Sequence, residues 1–260
     1  SFKASGITPT SSSGIGTFTL SKQCKLSGNC MSMAYGDNAE GQTDIVNNYQ
    51  FVSLFKDAKT ITEVSDNFLP ASKLSQSCYS SMFNGCSSLT KTPKLSATSL
   101  ATSCYGSMFR NCTSLVNAPE LPAMILAQSC YSSMFSGCSS MTIAPQLPAM
   151  TLAKSCYNGM LARTGITITP DLPAKNAPDS AYYQMFVNCK SLKSVSSISA
   201  ESMGVECCYQ MFFGCTKLTT FASNLSSLTS GGSMFYGCKL DAQSVMYIIH
   251  SIKDIAAEKQ

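Results

Sequence analysis

One pattern of apolar and polar positions recurs along the chain. Cys78, Tyr79, Met82, Phe83 and Cys86 are followed by Leu89, Leu95 and Leu100, with mostly polar residues between them. The order returns as Cys104, Tyr105, Met108, Phe109, Cys112, Leu115, Leu121 and Leu126, and again from Cys130. Cys78, Cys104, Cys130 and Cys156 stand 26 residues apart, and Cys86, Cys112 and Cys138 keep the same step. The methionine–phenylalanine pair marks eight units: Leu54-Phe55, Met82-Phe83, Met108-Phe109, Met134-Phe135, Met160-Leu161, Met185-Phe186, Met211-Phe212 and Met234-Phe235. Self-similarity at such a period is the signature of a repeat architecture.

In the first half of each unit the apolar residues fall at steps of one, four, five and eight. That spacing predicts one face of a short helix of about two turns. The residue before the second cysteine is Gly85, Gly137, Gly214 or Gly237 in four units and Asn111 or Asn188 in two more. Both residue types accept the left-handed backbone of a helix's closing cap. Asp57 and Arg163 depart from that rule.

The second half opens on Ile61, Leu89, Leu115, Met141, Leu192 or Leu218 and closes on Leu95, Leu121, Leu147, Leu172 or Ile198. It is too short and too rich in proline for a helix, and predicts a brief strand and a turn. Leu100, Leu126, Leu152 and Met203 then lead into the next unit. A strand, a turn and a helix cannot bury a core alone, so neighbouring units must stack.

Stacked units need covered ends. At the C-terminus, residues 240–260 predict a capping helix with Asp241 as N-cap and an apolar stripe of Val245, Ile248, Ile249, Ile252 and Ile255. His250 lies off the stripe and reads as a solvated helix residue. Residues 21–49, with "GNCMSMAYGD", predict the opposing cap as a strand and loop, and residues 50–239 hold the repeats. Residues 1–20 are rich in Ser, Gly and Thr and suit a linker.

Composition narrows the chemistry. Charged residues make up 12% and hydrophobic residues 44%, ample for a core. The net charge of +4 forms no basic cluster, which argues against a nucleic-acid partner. No apolar run approaches the roughly 20 residues that cross a bilayer, so no transmembrane segment is expected.

Fourteen cysteines raise four possibilities: disulfides, metal ligands, redox centres and core residues. Eight helical residues span about 12 Å, too far for a bond within one unit. Equivalent cysteines of neighbouring units would lie about 5 Å apart. Their parallel side chains seldom meet a disulfide's dihedral, which lies near ±90°. Ala181 and Ser230 also interrupt the first column, and Thr164 the second. One thiol per unit makes a line rather than a tetrahedron, the only adjacent pair is Cys207 and Cys208, and the sole histidine is His250. No metal and no cofactor is expected. No base stands near a particular thiol to activate it. Cys78, Cys86, Cys104, Cys112, Cys130, Cys138, Cys156, Cys189, Cys207, Cys215 and Cys238 therefore read as a structural ladder of buried small hydrophobes. Cys24 and Cys30 flank a Ser-Gly-Asn turn signal, which leaves both a disulfide across a hairpin and two buried free thiols open.

Cys112, Leu115, Ala118, Pro119, Leu121, Pro122, Ala123, Leu126, Ala127, Cys130, Tyr131, Met134 and Phe135 together resemble the BspA-like leucine-rich repeats of bacterial surface and secreted proteins. The resemblance covers about residues 20 to 258. It implies an α/β fold: a right-handed leucine-rich-repeat solenoid with short parallel strands on the concave face, short helices on the convex face and a C-terminal capping helix. It also implies an extracellular or cell-surface role in adhesion or binding, and it supplies no catalytic residues.

No Gly-rich phosphate loop, paired acidic motif or Ser/His/Asp set appears, and the 14 acidic residues are scattered. The expectation is a non-enzymatic module that binds an extracellular protein or glycan. Its candidate concave-face residues, outward by alternation, are Lys91, Lys94, Asn117, Glu120, Ile143, Gln146 and Ser194. The alternatives are a structural spacer or stalk and, behind it, a thiol redox or metal protein.

Overall fold

In a computed structural model, the structure describes residues 18, 20, 22–223, 225–228 and 232–257 of the chain, with side chains described as far as Ser251. The fold is α/β, with few helices and short parallel strands. Strand β1 (Cys24–Leu26) pairs in parallel with β2 (Ile61–Val64), and β3 (Asn176–Ala177) with β4 (Ser202–Met203). The described helices are α1 (Ser32–Tyr35), a 3-10 turn after it (Gly36–Ala39), another at Asp66–Phe68, and α2 (Ala242–Ala257).

The helix expected in the first half of each unit does not form. The backbone is instead a ribbon of overlapping β-turns. In residues 76–86 the N–H of Cys78, Ser80, Met82, Asn84 and Cys86 each donates to the carbonyl three residues earlier. The alternate N–H groups point along the stack: those of Ser77, Tyr79, Ser81, Phe83 and Gly85 donate to Thr102, Cys104, Gly106, Met108 and Arg110 at 2.8 to 3.0 Å. The same alternation runs from Tyr49 to Gly214. Each ribbon thus saturates its neighbour's backbone, as buried peptide groups require.

Every fourth residue of the ribbon has positive φ, for example Ser77 (52°), Ser81 (55°) and Gly85 (80°). A non-glycine residue there costs roughly 1–2 kcal/mol, and the hydrogen bonds to both neighbours hold it in place. Asp57 and Arg163 share this conformation, so the closing position is left-handed in all eight units. Along much of this column glycine alternates with a larger residue. A β-carbon on Gly85, Gly137 or Gly214 would collide with the side-chain oxygen of Asp57, Asn111 or Asn188 in the unit before.

Residue stacks on equivalent residue. Phe51, Tyr79, Tyr105, Tyr131, Tyr157 and Tyr182 form one column with ring centroids 5.8 to 6.2 Å apart. Phe55, Phe83, Phe109 and Phe135 form another; Leu161 interrupts it and Phe186, Phe212 and Phe235 resume it. The methionines and the leucines of the second half are buried between. The predicted strands shrink to isolated parallel bridges such as Glu63↔Lys91, Ile125↔Thr151, Ile168↔Ser194 and Ser194↔Thr220.

Both ends differ from expectation in part. Cys30 and Cys24 do not face each other: Cys30 Sγ lies 3.9 Å from Tyr79 Oη, while Cys24 pairs along Ile61. Residues 32–35 are helical rather than extended. On α2, Asp241 does cap, accepting the Ser244 N–H at 2.8 Å. The face laid on the repeats is, however, Ser244, Ile248 and Ser251, and Val245 and Ile249 are each 40% exposed. Polar complementarity explains the rotation. Ser244 Oγ accepts the Phe221 N–H at 2.8 Å and donates to the Thr219 carbonyl at 3.3 Å, bonding the backbone of the seventh unit's second half. The Ile252 and Ile255 side chains, the Ser230 gap and most of the 1–20 lead-in lie outside the described residues.

Candidate functional site

The cysteine ladder is in the core. All fourteen thiols are free, with Cys24 and Cys238 half-buried and the rest buried. The second cysteine of each unit also has a directional role that the sequence did not reveal. Cys86, Cys112, Cys138, Cys189, Cys215 and Cys238 donate S–H to the carbonyl of Phe55, Phe83, Phe109, Leu161, Phe186 and Phe212, one unit earlier, at 3.0 to 3.2 Å. Thr164, standing in for a cysteine, turns its hydroxyl to its own unit's Leu161 carbonyl at 2.8 Å. Burial pushes the thiols of Cys86, Cys104, Cys138 and Cys156 up to about 12. Cys78, Cys112, Cys130 and Cys215 move further in the same direction for the same reason. Such thiols stay protonated and are poor nucleophiles. Cys207 is the exception, held below the ordinary thiol range by its hydrogen bond with Cys208.

Among the described residues no group of three or more His, Cys, Asp or Glu side chains gathers, and no helix is long and apolar enough to cross a membrane. His250 is exposed on α2, away from the ladder.

The candidate surface residues fall into two rows. The parallel bridges join Glu63 to Lys91 and Ile168 to Ser194 to Thr220. The repeat register carries that row through Asn117 and Ile143. A second row runs Asp66, Lys94, Glu120, Gln146, Asp171 and Ser197, fixed at its ends by the Lys94 N–H on the Asp66 carbonyl and by Ser197 on Asp171 Oδ1 at 2.6 Å. Lys91, Lys94, Asn117, Glu120, Ile143 and Gln146 are exposed and Ser194 is half-buried. The rows are polarised along their length. At one end Lys91 pairs with Asp66 at 3.2 Å and Lys25 with Glu63 at 2.7 Å. In the middle stand exposed Val116, Ile143 (74%) and Ile168 (54%).

Val116 and Ile168 belong to this surface although alternation did not select them. Short bridges rather than true strands leave Val116 outward beside Asn117, so a period of two undercounts, and the Ile168↔Ser194 bridge places Ile168 in the row of Ser194. A separate apolar row, Met124, Ile125 and Met150, lies where the Ile125↔Thr151 bridge forms. Beside it an open groove of about 450 Å³ is lined by Met150, Asn176, Pro178, Ser202, Met203 and Gly204, among others. The signal for that row was visible: Met124-Ile125 stands where the preceding unit has Thr98-Ser99.

Comparison of the chain with protein families, with curated proteins and with solved structures finds no match in any of the three.

Proposed function

We propose that this chain is a non-enzymatic, extracellular or cell-surface binding module, built as a leucine-rich-repeat solenoid of the BspA-like kind, whose exposed rows take a protein or glycan ligand. One observation carries the reading: successive repeats align Lys91, Asn117, Ile143, Ile168 and Ser194 in a single row, exposed as far as Ile168, whose chemistry passes from cationic through amide to aliphatic and back to polar. A stack selected only for stability would have no reason to expose isoleucines there in two successive units, since exposed apolar clusters mark contact surfaces. The extended repeat surface suits ligands with several attachment points.

The second reading is a structural spacer. It is favoured by one feature of the row, which displays aliphatic side chains and none of the aromatics that anchor many interfaces.

A direct test immobilises the chain and passes over it soluble mucin glycoprotein and a set of extracellular matrix proteins. The wild type binds at least one probe, and Ile143→Asp with Ile168→Asp weakens that binding roughly tenfold or more, the range of losing a central contact. A wild type that binds none of them, or a variant that binds equally, supports the spacer.

A further inference from the structure

One unit carries a core unlike the others. In the column held by Phe51, Tyr79, Tyr105, Tyr131, Tyr157 and Tyr182, the seventh unit places Cys208. Cys207 keeps the usual cysteine position, so two adjacent thiols both face inward and both are fully buried. Cys208 Sγ points at the thioether of Met203, 3.8 Å away, and hydrogen-bonds to Cys207. Met203 stands where earlier units have Leu126, Leu152 and Ala177, so its sulfur is particular to this unit.

Cys208 thus has two sulfur neighbours, the Met203 thioether and the Cys207 thiol, in an otherwise linear ladder. Soft donors around one ion, each about 2.3 Å from it in a trigonal arrangement, lie about 4 Å apart. The 3.8 Å between Cys208 Sγ and Met203 Sδ already has that spacing. The groove lined by Met150, Pro178, Met203 and Gly204 reaches Met203 from outside and provides an entry path. Two thiols and a thioether supply three soft donors, one short of tetrahedral zinc, and no oxygen for a hard cation. Thiolate with thioether is the donor set that selects Cu(I).

We propose that Cys207, Cys208 and Met203 form a binding site for a single Cu(I) ion. Capture exchanges two S–H bonds for two Cu–S bonds, adds a dative bond from the thioether, and releases two protons to solvent, with no change in oxidation state. The site lies in the core, apart from the surface rows, and does not depend on what they bind.

The test titrates the intact, reduced chain with Cu(I) under anaerobic conditions against a competing bicinchoninate chelator. The wild type retains one ion per chain, and X-ray absorption shows three sulfur neighbours at about 2.3 Å. Cys208→Ala abolishes that retention, while Cys104→Ala, in the linear part of the ladder, keeps it. Met203→Leu places in the site the residue that earlier units carry at Leu126 and Leu152, and so preserves the fold. Outer-shell changes alone cost metal sites about 10–100-fold, so loss of this direct donor weakens retention by at least that much. Met203→Leu carries the test if Cys208→Ala does not fold. Retention of no ion by the wild type, or equal retention by Met203→Leu, overturns the proposal.

Discussion

The Sγ of Cys112 donates to the carbonyl of Phe83, one repeat earlier, across 3.2 Å. That carbonyl already accepts the N–H of Cys86, so the thiol fills the second lone pair of a buried acceptor. A residue in this column must be small enough for the core and able to donate along the stack. Cys112→Ala removes both the donor and a buried sulfur. It is expected to cost about 1–3 kcal/mol in chemical denaturation. Cys112→Leu, which keeps apolarity but adds bulk, is expected to lose about the same from overpacking. Equal stability of both variants to wild type would contradict the role assigned to the column.

The turn ribbon makes a prediction opposite to that of a helix. Ser107 has φ of 54°, where glycine is relaxed and alanine is strained. Ser107→Gly is expected to equal or exceed the stability of Ser107→Ala, by up to about 1 kcal/mol. In a helix glycine would instead be worse than alanine by about 1 kcal/mol. Melting the two variants side by side decides between the backbones.

Alkali should unfold the chain early. Burial raises the thiols of Cys86, Cys104, Cys138 and Cys156 to about 12 from an ordinary 9.0. Below pH 9 both folded and unfolded forms hold these protons, so stability does not depend on them. Above it only the unfolded chain releases them, and stability falls by up to about 1.4 kcal/mol per thiol per pH unit until the folded thiols titrate. Melting temperature is expected to be level from pH 6 to 8 and to drop steeply between pH 9 and 10.5. A level profile through pH 10.5 would contradict the burial.

Core and surface should separate cleanly. Phe109 stacks between Phe83 and Phe135 at 5.7 and 5.8 Å, and Phe109→Ala is expected to cost about 3–5 kcal/mol. Ile143→Ser, on the exposed row, is expected to lie within about 0.5 kcal/mol of wild type. Paired denaturation curves check both; a large loss at Ile143 would make it a core residue and remove it from the proposed binding surface.

Much of this was legible in the sequence, because stacking forces equivalent residues into equivalent environments. The period, the Tyr79 and Phe83 columns and the buried repeat cysteines all follow from positions that repeat, and the Asp241 cap follows from local helix-start chemistry. The backbone of the first half did not. Apolar residues at steps of four and eight fit a helix to within about 40° per four residues, too small an error to detect over eight residues. Serine at Ser77 and Ser81 gives no sign of left-handed geometry, whereas Gly85 does. The rotation of α2 was hidden for a related reason. Val245 and Ile249 outweigh Ser244 in any hydrophobicity pattern, yet Ser244 satisfies two open backbone groups. Surface rows were partly legible: Lys91, Asn117 and Ile143 emerged from alternation, but Val116 and Ile168 required the bridges to be seen.

The central claim is that the repeated cysteines are core residues of a register-locked stack. Alkylation of the native, unreduced chain followed by mass spectrometry, against the denatured chain, tests it most directly. Twelve thiols are buried and two, Cys24 and Cys238, are half-buried. The account predicts modification confined to those two in the folded protein and all fourteen reacting once it is unfolded. Rapid native labelling of Cys78, Cys104 or Cys130, or thiols that stay blocked after denaturation, would contradict it.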